Sequence, residues 1–322
     1  MLTWGAKILE KSTSRLRAAV IFATLCFMPK SINGQDLPFQ TDIYVADLSV
    51  FEGIYYIGDL QNITNRPNFY DNQPVFTSDS RSILYTSAYD DGEQRQTEIN
   101  RYYLELDRTT RITRTTKSEY APAPIPGDKA FSAIQTETDS IQKLWRFTME
   151  GMDAEVILRD VPKIDYYAWG NEQSILIFVI GNPPTLQIAD VTTGLSEITT
   201  DSGVGISMHK IPNRNSWSFI ERTSDQQSWI SEVNIGTHEI LRLIQTPSGS
   251  DFHAWTPDGI LLMTSRGQVV QWDPEIDNNH RVIANFRHMN LILSYISVSP
   301  NGEKIAIVGM QNSKMNPDED ND

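Results

Sequence analysis

Chemistry in this 322-residue chain would have to come from a short set of side chains. Five histidines are present, His209, His238, His253, His280 and His288, and no two stand at a metal-ligand spacing such as His-x-His or His-Glu-x-x-His. The single cysteine, Cys26, excludes a disulfide framework and a thiolate-rich metal site. No Gly-x-Ser-x-Gly elbow is available to present a serine nucleophile between a strand and a helix. Gly203-Val204-Gly205-Ile206-Ser207 holds two glycines, but no Lys follows and no βα unit surrounds it, so it reads as an inter-blade loop and not a phosphate cradle. Carboxylates are plentiful, as in Asp90-Asp91, Glu137 with Asp139 and Asp251 with Asp258. General acid–base work needs two of them held across a pocket, which spacing alone does not establish. Residues 316–322 alternate oxygen ligands without the glycine and closing glutamate of a calcium loop. The expectation is no catalytic residue, no metal and no cofactor. What remains is a set of amphipathic rings, Tyr120, Tyr166, His253 and Tyr295, able to grip an extended peptide or a sugar through contact area and a polar handle. Ordinary packing is the competing reading.

Whether those rings can meet depends on the elements that carry them. Six segments share an apolar stretch, a tight turn of Pro, Asp, Asn or Gly, and a second apolar stretch. They are VFTSDSRSILYTS (75–87), APIPGDKAFSAI (123–134), AWGNEQSILIFVI (168–180), KIPNRNSWSFIE (210–221), AWTPDGILLMTS (254–265) and SVSPNGEKIAIVG (297–309). The turn markers Asp79, Gly127, Glu172, Asn213, Asp258 and Asn301 follow one another at spacings of 48, 45, 41, 45 and 43. Each segment is a hairpin in its turn chemistry and its β-branched flanks. Between the hairpins a further strand closes on Asp47, Asp107, Glu150, Asp190, Asn234 or Asp273 and turns into one more strand. Repetition of these acids in every unit points to a structural turn. Four strands per repeat of 40–50 residues, with almost no helical periodicity after residue 35, predict an all-β six-bladed propeller. Five repeats are complete. The sixth is assembled from 294–309 and 41–63, so that the two chain ends pair and no sheet edge is left open. In that fold the four rings belong to innermost strands, which line the central channel.

Trp255-Thr256-Pro257-Asp258-Gly259 and Val298-Ser299-Pro300-Asn301-Gly302-Glu303-Lys304-Ile305-Ala306-Ile307 resemble the core of the WD40-like (PD40) TolB-type repeat. Ile43-Tyr44-Val45-Ala46-Asp47 looks like that family's third strand, and Val191-Thr192-Thr193-Gly194 like its following turn. The resemblance implies a six-bladed, extracytoplasmic propeller over nearly all of 41–309. Gly127, Glu172 and Asn213 depart from it, standing where the family has Asp.

Residues 1–34 have the order of a secretory signal: Lys7, Lys11, Arg15 and Arg17, then an eleven-residue apolar run from Ala18 to Met28, then a short polar exit. The run is too short for a spanning helix. Cleavage after Gly34 is the expectation, and an uncleaved amphipathic N-terminus is the alternative. The leader removes five basic residues and one acidic one, leaving 22 against 40 and a net charge of −18, where the whole chain carries −14. Such a surface disfavours nucleic acid and favours a basic protein or peptide partner. Residues 35–311 are read as the propeller and 312–322 as an acidic disordered tail. The functional expectation is an exported, periplasmic or secreted, non-catalytic binding module with no integral membrane segment after cleavage. The rivals are a propeller enzyme of glycoside hydrolase or lyase type, or a carbohydrate-binding protein using the channel.

Overall fold

The computed structural model describes residues 40–66, 69–90, 95–137 and 139–311, so the leader and the acidic tail lie outside the described residues. Six antiparallel sheets form the blades. Blade 1 spans 71–111, blade 2 118–156, blade 3 164–200, blade 4 204–245 and blade 5 253–285. In each of these the four strands pair in chain order. Blade 6 runs from Leu291–Val298 to Lys304–Gln311, then crosses to the N-terminal Asp42–Phe51 and its hairpin partner Ile54–Ile57. Ile43 stands opposite Val308 and Val45 opposite Ala306 across that seam. The closure expected from the two half-repeats is therefore how the ring is sealed. No described helix is long and apolar enough to cross a membrane.

The first strand of each blade is the innermost, and these strands neighbour one another around the ring. Apolar clusters fill the seams between blades. Ile134, Leu144, Ile164 and Ile177 join blade 2 to blade 3, and Ile220, Ile230, Leu261 and Met263 join blade 4 to blade 5. Alternating side chains thus serve the two neighbouring seams, the period-two logic of a strand packed on both faces.

The six hairpin turns converge on one geometry from two kinds of sequence. In blades 1, 5 and 6 a hydroxyl sits two residues before an acid or amide: Thr77 Oγ1 donates to Asp79 Oδ1 (2.6 Å), Thr256 Oγ1 to Asp258 Oδ1 (2.5 Å) and Ser299 Oγ to Asn301 Oδ1 (2.7 Å). Each hydroxyl also accepts the amide that closes the turn, from Ser82, Ile260 or Lys304. Blades 2, 3 and 4 have Ile125, Gly170 and Ile211 at the hydroxyl's place. They keep the backbone bond, Ile125 N–H to Ala130 O (3.1 Å), Gly170 N–H to Ser174 O (2.8 Å) and Ile211 N–H to Ser216 O (3.0 Å), and in blade 3 Asn171 Oδ1 takes over the closing Ser174 amide (2.8 Å). Gly127 has φ +73°, and a Cβ there would collide with the Glu172 carboxyl. A residue that departs from the repeat in one blade therefore fits a departure in the next.

Three of the residues expected to close strands are turn elements, whereas Asp47 lies within the strand Asp42–Phe51 and takes the Lys304 ammonium at 2.6 Å. Asp190 Oδ1 accepts the Thr192 and Thr193 amides, Asn234 Oδ1 those of Gly236 and Thr237, and Asp273 Oδ1 that of Glu275. These are Asx turns. The loop expected at Gly203–Ser207 is corrected as well. Val204–Lys210 is the inner strand of blade 4, so most of the glycine-bearing segment is strand and not loop. Gly203 (φ +63°) and Gly205 let it approach the second strand, since a Cβ at either would collide with Arg222 O or Ile220.

Candidate functional site

All four sequence-selected rings lie on inner strands: Tyr120 in Ser118–Pro124, Tyr166 in Ile164–Trp169, His253 in His253–Trp255 and Tyr295 in Leu291–Val298. They are not equivalent. Tyr166 and Tyr295 are half-buried, whereas Tyr120 and His253 are buried. The Tyr295 ring packs on Phe252 at 5.3 Å, and loss of solvent pushes its hydroxyl up to about 12. Tyr120 donates to Asp165 Oδ1 at 2.6 Å, with Tyr166 and Tyr70 close enough to act on its hydroxyl electrostatically. His253 has no exposed surface: Nδ1 meets Ser207 Oγ at 3.0 Å and Nε2 meets Ser218 Oγ at 2.7 Å. Its ring stands edge-on to His209 at 4.7 Å. Desolvation drives His209 down to about 4 and His253 well below the ordinary histidine range, so both are neutral at physiological pH.

Five of the six inner strands are irregular, those of the three selected tyrosines among them, while His253–Trp255 pairs in regular register. Pairing with the second strand shifts register between Asn72 and Val75, Tyr120 and Ala123, Ile164 and Tyr166, Val204 and Met208, and Leu293 and Ile296. A bulge frees backbone groups that must find other partners. At Ala121 (φ +50°) the amide donates to Gln73 Oε1 (2.9 Å) and Thr86 Oγ1 (3.1 Å) of blade 1, and the carbonyl accepts Tyr167 Oη (2.8 Å) of blade 3. Thr264 Oγ1 caps the Ser294 carbonyl in the same way. Inner-strand bulges are thus keyed by side chains from neighbouring blades.

Sequence reasoning passed over a buried acidic layer in blades 1 to 3. Asp71, Glu98 and Glu119 have no exposed surface, and Asp165 is 2% exposed. Asp71 pairs with Arg66 and accepts Ser87 Oγ at 2.6 Å, although burial still raises its carboxyl. Glu98 pairs with Arg111 and accepts Gln96 Nε2 at 2.7 Å. Burial, with Glu98 alongside, lifts Glu119 to about 8, and burial lifts Asp165 to about 6. Asp165 Oδ2 is buried without a partner. The signal was in view: Glu119-Tyr120 and Asp165-Tyr166 each set an acid beside a selected tyrosine inside an inner strand. Each of these groups lies beneath the surface and spends an oxygen on an internal donor, and burial favours the protonated form of Glu119 and, less strongly, of Asp165. Among the described residues no three His, Cys, Asp or Glu side chains come together as a metal site.

The architecture defines the class: a six-bladed β-propeller with TolB-like geometry. Its fold is similar to a protein assigned as TolB from Agrobacterium tumefaciens, at 13% identity over 85% of this chain and 99% of that one, with a TM-score of 0.64. TolB from Acinetobacter baumannii follows at 12% identity and a TM-score of 0.53, over 84% of this chain and 64% of that one, so this chain spans under two thirds of its length. An oligogalacturonate lyase from Vibrio parahaemolyticus matches at 11% identity over 86% of this chain and 100% of that one, with a TM-score of 0.50. No family model and no curated protein matches the sequence, so the PD40 assignment stays a resemblance.

Proposed function

We propose that this chain is an exported, non-catalytic propeller that binds a protein or peptide in the cell envelope through its inner-strand rim. The carrying observation is the state of its polar groups. Asp165 and His253 on the inner strands are buried and bonded across blades, to Tyr120 and to Ser207 and Ser218, which equips them to hold the ring and not to turn over a substrate. Tyr166 and Tyr295 keep partial exposure on inner strands and offer ring area with a hydroxyl. Tyr120 and His253 support that rim from beneath. The net charge of −18 after residue 34 favours a basic partner and a salt-sensitive association. Export rests on the leader pattern. The fold's likeness to both TolB and a lyase is compatible with binding and with turnover.

The test is capture from native envelope extract with residues 35–322, wild type against Tyr166→Ala/Tyr295→Ala, followed by titration with the purified captured protein at two salt concentrations. The expected result is a partner lost from the double variant at unchanged melting temperature and weakened by salt. Recovery of a glycan with no protein, or turnover of an oligosaccharide that the double variant loses, would replace the reading with a carbohydrate site or an enzyme.

A further inference from the structure

Blades 1 and 2 meet across a pair of carboxyls that rim binding does not use. Glu98 lies on the third strand of blade 1, Arg95–Tyr103, and Glu119 on the inner strand of blade 2, Ser118–Pro124. Both are fully buried, and Thr115 bridges them, its amide donating to Glu98 and its hydroxyl to Glu119. Glu98 Oε1 accepts Gln96 Nε2 (2.7 Å), the Thr115 amide (3.2 Å) and the Arg111 guanidinium. Glu119 Oε1 accepts Thr115 Oγ1 (2.5 Å) and Gln135 Nε2 (2.7 Å). The second oxygen of each, Oε2, meets no donor from the rest of the protein.

Two ionised carboxylates in that position would set like charges in contact where water cannot screen them. One proton between them converts two orphan acceptors into a donor and an acceptor. The surrounding charges agree with that count. Arg111 is the cation on the pair and balances one negative charge, while its guanidinium lies 4.1 Å from the Tyr89 ring. Lys117 on blade 2 directs its ammonium to Gln135 Oε1 at 3.0 Å and stands over Trp145. Asp71 and Arg66 form their own ion pair beyond Ser87, the residue opposite Glu98 in the sheet.

We propose that Glu98 and Glu119 share a single proton, and that this proton latches the inner strand of blade 2 onto blade 1. When it leaves for solvent, two carboxylates face each other with one arginine between them, and the strand 118–124 loosens. The next residue, Tyr120, projects to Asp165 of blade 3, so the latch also sets the footing of the rim. That last consequence rests on the binding reading; the latch itself does not.

The test is carboxyl NMR on protein labelled with ¹³C at glutamate side chains, from pH 5 to 9, for the wild type, Glu119→Gln and Glu98→Gln. The expected result is one wild-type carboxyl that remains protonated at neutral pH and titrates near 8, with no counterpart in E119Q. The E119Q amide reproduces the protonated form by donating to Glu98. The wild-type unfolding constant should therefore rise relative to that of E119Q by up to about tenfold per pH unit between pH 5 and 8. E98Q should be the less stable variant, because Arg111 loses its carboxylate. Glutamates that all titrate below pH 5.5 in the wild type would overturn the latch without reference to any variant. A latch seen by NMR together with pH-independent partner binding would retain the latch and remove its coupling to the rim.

Discussion

Blades 1 to 3 and the seam between blades 4 and 5 carry buried titratable groups whose proton affinity burial shifts in opposite directions. On the first side the shifted groups are acids, and burial favours the protonated form: Glu119 at about 8, which keeps its proton at neutral pH, and Asp165 at about 6, which gives most of it up there. On the second they are imidazoles, and burial favours refusing one: His209 at about 4 and His253 well below the ordinary histidine range. Burial is the common cause, since a low-dielectric interior penalises whichever form is charged. The linkage signs then oppose each other. Glu119 and Asp165 have raised folded-state values, so their contribution is complete below the ordinary carboxyl range and is lost as pH rises through about 8 and about 6. His209 and His253 have lowered values. Their contribution is complete above about 6.5 and is lost as pH falls towards 4. One ring thus carries two seams with opposite proton dependence.

The largest effect expected from breaking this contrast is on the acid side. Arg111→Ala leaves Glu98 charged and unpaired in the interior, at a cost of about 3–5 kcal/mol at pH 7 by denaturant unfolding. Ser218→Ala is the counterpart on the histidine side. It removes the acceptor of Trp255 Nε1 (2.8 Å) and the partner of His253 Nε2, for about 1–3 kcal/mol with little change between pH 7 and 8. Tyr120→Phe takes the donor from Asp165 and should cost about 1 kcal/mol, more at pH 8 than at pH 5. Arg222→Gln breaks a surface pair with Asp251 (2.8 Å) and should leave the unfolding midpoint unmoved, showing that the pH effects come from buried groups alone.

The sequence carried the architecture well because the backbone repeats. Turn chemistry at Thr256-Pro257-Asp258 and Ser299-Pro300-Asn301 was explicit, and the complementary half-repeats at 41–63 and 294–309 announced their own pairing. Even the weak turns at Gly127, Glu172 and Asn213 kept the spacing. The interblade contacts were less visible, because a contact between repeats has no fixed separation in the chain. Trp169 and Trp255 illustrate what could be seen. They hold equivalent places in the repeat, and each donates to a serine in the preceding blade, Ser132 and Ser218. Glu98 and Glu119 illustrate what could not. Their separation belongs to no motif, and only the packing of blade 2 against blade 1 brings them together. His253 looked like a rim residue from its strand, but its depth depends on Ser207 and Ser218, some 35 to 46 residues away.

The most direct test of the opposed seams is unfolding free energy from pH 4 to 9 for the wild type, Glu119→Gln and His253→Gln. The account predicts that wild type loses stability relative to E119Q by up to about 1.4 kcal/mol per pH unit as pH rises from 4.5 to 8. It predicts the reverse against H253Q, with wild type losing ground as pH falls below 6.5. Three parallel curves would contradict it.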